Sequence, residues 1–221
     1  DSGFSPLLIS ALITLVVGFF PFIFGNEVPD VKLKEGYVII VSAWLLSFLA
    51  GALPYIMYGG EFTVINAWYE SVSGYTTTGS TVLTDIEALP KSLLFWRSST
   101  QFIGGLGVIV FLLLIFPESS PFKLRVSNLE IASMARTGYL FKADTTIRIM
   151  LGVYILMTIA ETILLKLAGM SFFDAVNHSF CTVSTGGFST KNASIMHYDS
   201  VRIDMIIIFF MIISSLHFGI I

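Results

Sequence analysis

Residues 62–79 read FTVINAWYESVSGYTTTG, and 108 positions further on residues 170–187 read MSFFDAVNHSFCTVSTGG. The two stretches align without a gap. Ala67 meets Ala175, Ser71 meets Ser179, Thr77 meets Thr185 and Gly79 meets Gly187, while Asn66 falls opposite Asp174 and Thr76 opposite Ser184. Each contains a short, half-apolar segment, 62–75 or 172–183, that runs at once into small hydroxyl residues and glycine. Segments this short cannot cross a hydrocarbon core about 30 Å thick, and they read as re-entrant helices that dip in and turn back.

Four long apolar stretches surround them, at 6–24, 37–58, 93–116 and 147–167, and a fifth at 205–221 runs to the last residue as a shortened span. Spanning takes roughly 20 residues at about 1.5 Å each. The composition agrees: 55% of the 221 residues are hydrophobic and 12% charged, with a mean hydropathy of +0.84, too little charge to cover a water-soluble surface. The net charge of −3 offers no basic face for nucleic acid. The single cysteine, Cys181, excludes an internal disulfide and a thiolate zinc cluster. The first apolar stretch lacks the basic lead-in and cleavage site of a signal peptide and reads as a retained membrane helix.

Loop charge sets the orientation. Segment 117–148 holds Lys123, Arg125, Arg136, Lys142 and Arg148 against Glu118, Glu130 and Asp144, so it belongs in the cytoplasm. Both short segments then open to the outer face, and 26–36 lies inside with Asp1 outside, which hints at a missing upstream helix. The expected organisation is an N-terminal membrane helix and cytoplasmic loop (1–36), a first span–short helix–span repeat (37–116), a cytoplasmic connector (117–146) and a second repeat (147–221). Parallel repeats of this kind place a site at their interface.

The chemistry at the two turns suits a monovalent cation. Non-helical backbone at membrane depth is tolerated where protein buries it or it lines a wet cavity. Residues 76–79 and 184–187 supply carbonyl and hydroxyl oxygens that can replace the hydration shell of potassium, and no carboxylate that would favour divalent ions. Glycine allows the backbone twist that aims carbonyls inward. Each short helix turns its C-terminal end, worth about half a negative charge, toward that site. Hydroxyl and glycine runs also serve as packing residues in membrane bundles; the matched pair on one face favours the pore. Glu70, a turn or more before the glycine, reads as support behind the filter, and His178, its counterpart, as a packing residue. Arg97 is expected to snorkel to the outer interface. Glu161 lies inside a span and should face protein. Gly104, Gly105 and Gly107 match no phosphate-binding pattern and read as packing sites, and Pro54 as a mild kink or a stop.

The quoted stretches, with ESVSGYTTTGSTVLTDIEALPKSLLFWRSSTQFIGGLGVIV at 70–110 and FDAVNHSFCTVSTGGFSTKNAS at 173–194, closely resemble the first and second pore repeats of the Trk/Ktr/HKT potassium transporters, nearest the bacterial Trk-type membrane subunit. The resemblance implies an all-α integral membrane fold of four span–pore helix–span repeats, of which two are present. It makes Gly79 and Gly187 filter glycines, and lines the potassium site with Thr77, Thr78, Ser184 and Thr185, with Gly186 beside them. It further implies a homodimer in the plasma membrane, surrounded by lipid and gated by a cytosolic nucleotide-binding regulatory subunit, with no cofactor in this chain. A secondary transporter whose broken helices bind an organic substrate or sodium is the alternative. An enzyme is not expected, because no nucleophile–base pair or metal motif has suitable spacing.

Overall fold

The computed structural model describes residues 2–24, 33–115 and 143–215, and among these there is no β-strand. Seven α-helices follow in order: α1 (Phe4–Phe24), α2 (Leu33–Tyr58), α3 (Val64–Tyr75), α4 (Lys91–Ile115), α5 (Ala143–Leu167), α6 (Phe172–Val183) and α7 (Val201–Ser215), with a 3-10 turn at Ser194–Tyr198. Most of the basic connector, the loop at 25–32 and the end of the last span at 216–221 lie outside the described residues.

Helices α1, α2 and α5 contain stretches long and apolar enough to cross a membrane, at Phe4–Pro21, Glu35–Tyr58 and Arg148–Leu167. Helix α4, at 25 residues, reaches about 37 Å. Pro54 sits inside α2, which continues to Tyr58, so it does not stop the helix.

The short helices α3 and α6 are each 12 residues long and start 108 positions apart. Thr63 caps α3 by accepting from the Asn66 amide, and Ser171 caps α6 by accepting from the Asp174 amide. Each cap satisfies one of the amides that a helix start leaves unpaired. Their packing repeats as well. Phe62 and Ala67 lie in one core cluster with Ala52, Tyr55, Leu83 and Leu93; Met170 and Ala175, their counterparts, lie in a second with Leu165, Ile203 and Ile207. Helix α2 packs on α3 and α5 on α6, while α4 packs on both short helices. Stacking of Phe102 on Phe180, ring centroids 4.4 Å apart, is part of the seam between α4 and α6.

The polarity is inverted relative to a water-soluble protein. Leu12, Val16 and Phe20 of α1, and Leu46 and Leu49 of α2, are exposed, whereas Glu70, Arg97, Gln101 and Glu161 are buried. Apolar surface on this scale is stable against lipid tails, and charge inside such a fold is held among protein groups.

Candidate functional site

Helices α3 and α6 end the same way. Thr76 and Ser184 are the last residues near helical geometry, with φ of −79° and −78°. The next residues, Thr77 and Thr185, are left-handed, at φ +54° and +55°. The Thr77 amide donates to the Gly74 carbonyl at 3.0 Å and the Thr78 amide to Ser73 at 3.0 Å. In the second copy the Thr185 amide donates to Thr182 at 2.9 Å and the Gly186 amide to Cys181 at 2.7 Å. This pair of bonds is the Schellman motif, whose left-handed position is ordinarily glycine. A β-branched residue there is a genuine outlier, and the left-handed conformation disfavours it by about 1–2 kcal/mol. Its presence in both copies points to a use for the hydroxyl, since strain of this kind gathers at functional sites. Replacing Thr185 by glycine is therefore expected to stabilise the full-length protein by about 1 kcal/mol or less after glycine's greater chain entropy, read as a higher thermal midpoint in detergent. A variant that loses stability would refute the strain argument.

Two residues on, Gly79 and Gly187 are again left-handed, at φ +77° and +95°. A Cβ on Gly79 would run into the Gly186 carbonyl oxygen, so the two turns lie directly against each other. Thr76, Thr77, Ser184 and Thr185 share the wall of one cavity of about 440 Å3 with Trp44, Phe48, Tyr75, Gly104, Gly105, Tyr154, Val183 and Ser214. No charged side chain borders it, and the C-terminal ends of α3 and α6 lie at its edge. Thr78, Gly79, Gly186 and Gly187 are not among the residues that line it.

Behind the turns the predicted support is present and extends further than the sequence suggested. Glu70, fully buried, accepts from the Thr81 hydroxyl at 2.9 and 3.0 Å and from the Val82 amide at 3.3 Å. His178 holds the equivalent place: Nε2 lies 3.0 Å from the hydroxyl of Ser189, the counterpart of Thr81, and Nδ1 lies 2.8 Å from the Asp174 carbonyl. A carbonyl only accepts, so Nδ1 carries the proton and Nε2 accepts from Ser189. His178 thus braces its own turn rather than merely packing.

Arg97 departs from expectation. It does not snorkel to the interface but is 1% exposed, with Nε 2.7 Å from Glu70 Oε1. Its Nη1 donates to the Ser189 carbonyl at 3.2 Å, and the guanidinium lies over the Phe188 ring, 4.2 Å from the centroid. Gln101, one turn on, accepts from the Phe188 amide at 3.2 Å. Gly104 packs against the Tyr75 carbonyl and Gly105 against Ser184 and the Tyr154 hydroxyl, in keeping with a packing role. An arginine inside a predicted span, with a buried glutamate in the preceding short helix, was the available signal for the pair. Nothing in the sequence singled out Gln101.

In the loops that follow the two turns, Asn192 donates to Asp85 at 2.8 Å and accepts from the Ile86 amide at 2.7 Å. The Asn192 amide beside Asp85 holds that carboxyl below the usual carboxylate range. Lys191 and Glu87 add an ion pair at 3.5 Å, half in solvent and weakly stabilising. Glu161 is fully buried on α5, as expected of a protein-facing carboxylate. Among the described residues no group of His, Cys, Asp and Glu could hold a metal ion.

Comparison with known proteins agrees with this architecture. The family model described as "TrkH: Cation transport protein" matches residues 9–221. The Trk system potassium uptake protein TrkH of Escherichia coli K12 is 36% identical over 196 residues, 88% of this chain and 41% of that protein. An uncharacterized cation transporter of Methanocaldococcus jannaschii is 39% identical over 199 residues, 87% of this chain and 41% of its own length. The crystal structure of the potassium transporter TrkH from Vibrio parahaemolyticus superposes with a TM-score of 0.83 at 33% identity, over 99% of this chain and 44% of that one. The chain belongs to the TrkH family of cation transport proteins. It is a multi-pass protein of the plasma membrane, in a family of transporters rather than enzymes, and spans about two-fifths of the length of the curated relatives it matches.

Proposed function

We propose that this chain forms two of the four filter-bearing repeats of a potassium uptake pore. The observation that carries the reading is the pair of matched turns: two short helices, 108 positions apart, each ending in a left-handed threonine and then a left-handed glycine, beside one cavity free of charge. Residues 37–116 and 147–221 are the two repeats, joined by the connector at 117–146. Potassium sheds water against oxygens of Thr77, Thr78, Gly79, Ser184, Thr185, Gly186 and Gly187. The helix ends favour a cation, and the neutral oxygens disfavour a divalent one. The potassium transporters among its relatives support this choice of ion.

The full protein is proposed to contribute the other two repeats, to pair as a homodimer with one pore per subunit, and to take its gating from a cytosolic nucleotide-binding subunit. The test is uptake of radioactive rubidium by cells lacking their own potassium systems and expressing the full-length protein. Saturable uptake inhibited by potassium is expected, and lost when Gly187→Arg fills the path. No uptake by the wild type, or uptake unaffected by Gly187→Arg, would sink the pore reading.

A further inference from the structure

One face of α4 meets both turns. Arg97, Thr100, Gln101, Gly104 and Gly105 recur at helical three- and four-residue spacing, so they form a single stripe. Along it, Gly104 touches the end of α3 and Gly105 the end of α6. A Cβ on Gly74 would strike the Thr100 hydroxyl, and one on Gly186 would strike the Gln101 amide. Arg97 joins the two sides: it holds Glu70, which holds Thr81 and Val82 after the first glycine, and it holds the Ser189 carbonyl after the second. Phe188, which directly follows Gly187, is fixed through its amide by Gln101 and through its ring by Arg97.

We propose that Arg97 and Gln101 are positioning residues that set ion discrimination by locking both filter turns to one helix. The inference rests on the pore reading and goes beyond it, since neither side chain touches the ion path. The physical reason is that discrimination between cations of different size depends on where oxygens sit and how freely they move. A turn with left-handed threonine and glycine has little regular structure of its own to hold it. The second turn takes its support from α4 at two adjacent residues. The first takes it through Glu70, so a displacement at Arg97 reaches both. The Gln101 Oε1 accepts from the Phe188 amide, its Nε2 is buried without a hydrogen-bond partner among the described residues, and the same side-chain amide packs against Gly186. Gln101→Leu, of similar size, therefore removes a hydrogen bond without opening a cavity. Arg97→Lys keeps the charge for Glu70 but lacks the planar fork that also reaches Ser189 and sits over the Phe188 ring.

The experiment uses the full-length protein in cells lacking other potassium uptake. It reads the rubidium KM, the maximal rate and the sodium-to-potassium ratio of inhibition constants, with membrane levels and detergent melting measured in parallel. Both variants are expected to shift the inhibition ratio and KM by roughly fivefold, the change that follows from one net hydrogen bond, while maximal rate per protein falls less. A purely structural role predicts fewer molecules in the membrane with the wild-type ratio and KM, and that result overturns the proposal. If Arg97→Lys fails to reach the membrane, Gln101→Leu alone decides. Wild-type uptake without sodium–potassium discrimination would instead strike at the pore reading beneath it.

Discussion

Replacing Arg97 with methionine is expected to destabilise the full-length protein by about 3–5 kcal/mol, the cost of breaking a buried ion pair from one side. Arg97 and Glu70 are 1% and 0% exposed, and their contact is 2.7 Å. Without the guanidinium, Glu70 keeps the Thr81 hydroxyl and the Val82 amide but loses its only recorded ion-pair partner among the described residues. A buried carboxylate left without its counter-charge is far costlier than a missing pair. The double variant Arg97→Met with Glu70→Gln is therefore expected to recover much of the loss, because glutamine can still accept from Thr81 with no charge left behind. Thermal midpoints in detergent for the two single variants and the double one give the coupling directly. Additive losses would show that the pair does not act as a unit.

Gly79→Ala is expected to abolish uptake, lowering it by at least about tenfold, which a rise of about 1.4 kcal/mol in the transport barrier suffices to produce. Two effects combine. The left-handed backbone at φ +77° disfavours any side chain by about 1–2 kcal/mol. The added methyl also has to displace the Gly186 carbonyl, which belongs to the neighbouring turn. Gly60→Ala separates the two: its φ is +66°, but no atom lies within 4 Å of the added Cβ. It carries the backbone strain alone, in the turn between α2 and α3, and should retain most of its rubidium uptake. Equal losses from both substitutions would mean that backbone strain, not the contact between turns, is what Gly79 avoids.

The elements most legible in the sequence were those set by local chemistry repeated twice. Helix α3 starts within two residues of the expected segment and ends at Tyr75 as expected, and α6 matches its segment at both ends. The hydroxyl residues behind each helix and the glycine two further on announce a turn that cannot continue as helix. Glu70 as support for the turn was also within reach, because an isolated carboxylate in an apolar stretch needs partners. What was not legible depends on the third dimension. The Arg97 side chain is long enough to reach outward or inward, and its place near the start of its span favoured outward. Only the packing of α4 between the two short helices decides for the buried pair. Gln101 is an ordinary polar residue until the Phe188 amide, 87 positions away, is seen against it. The left-handed threonines are hidden for another reason: propensity argues against them, and the rest of the fold holds them in place.

The shared face of α4 has a bearing on how the two copies can change. The two copies repeat with a period of 108 positions, yet one helix, formally part of the first, supplies contacts to both. A substitution on that stripe is answerable to two partners at once, whereas a substitution on α3 or α6 is chiefly answerable to its own. The copies can thus differ in their short helices, as glutamate and histidine do at positions 70 and 178, while the rod between them is constrained from two sides. The repeats are not two modules in series but one interlocked unit, whose seam runs through a helix rather than through the connector.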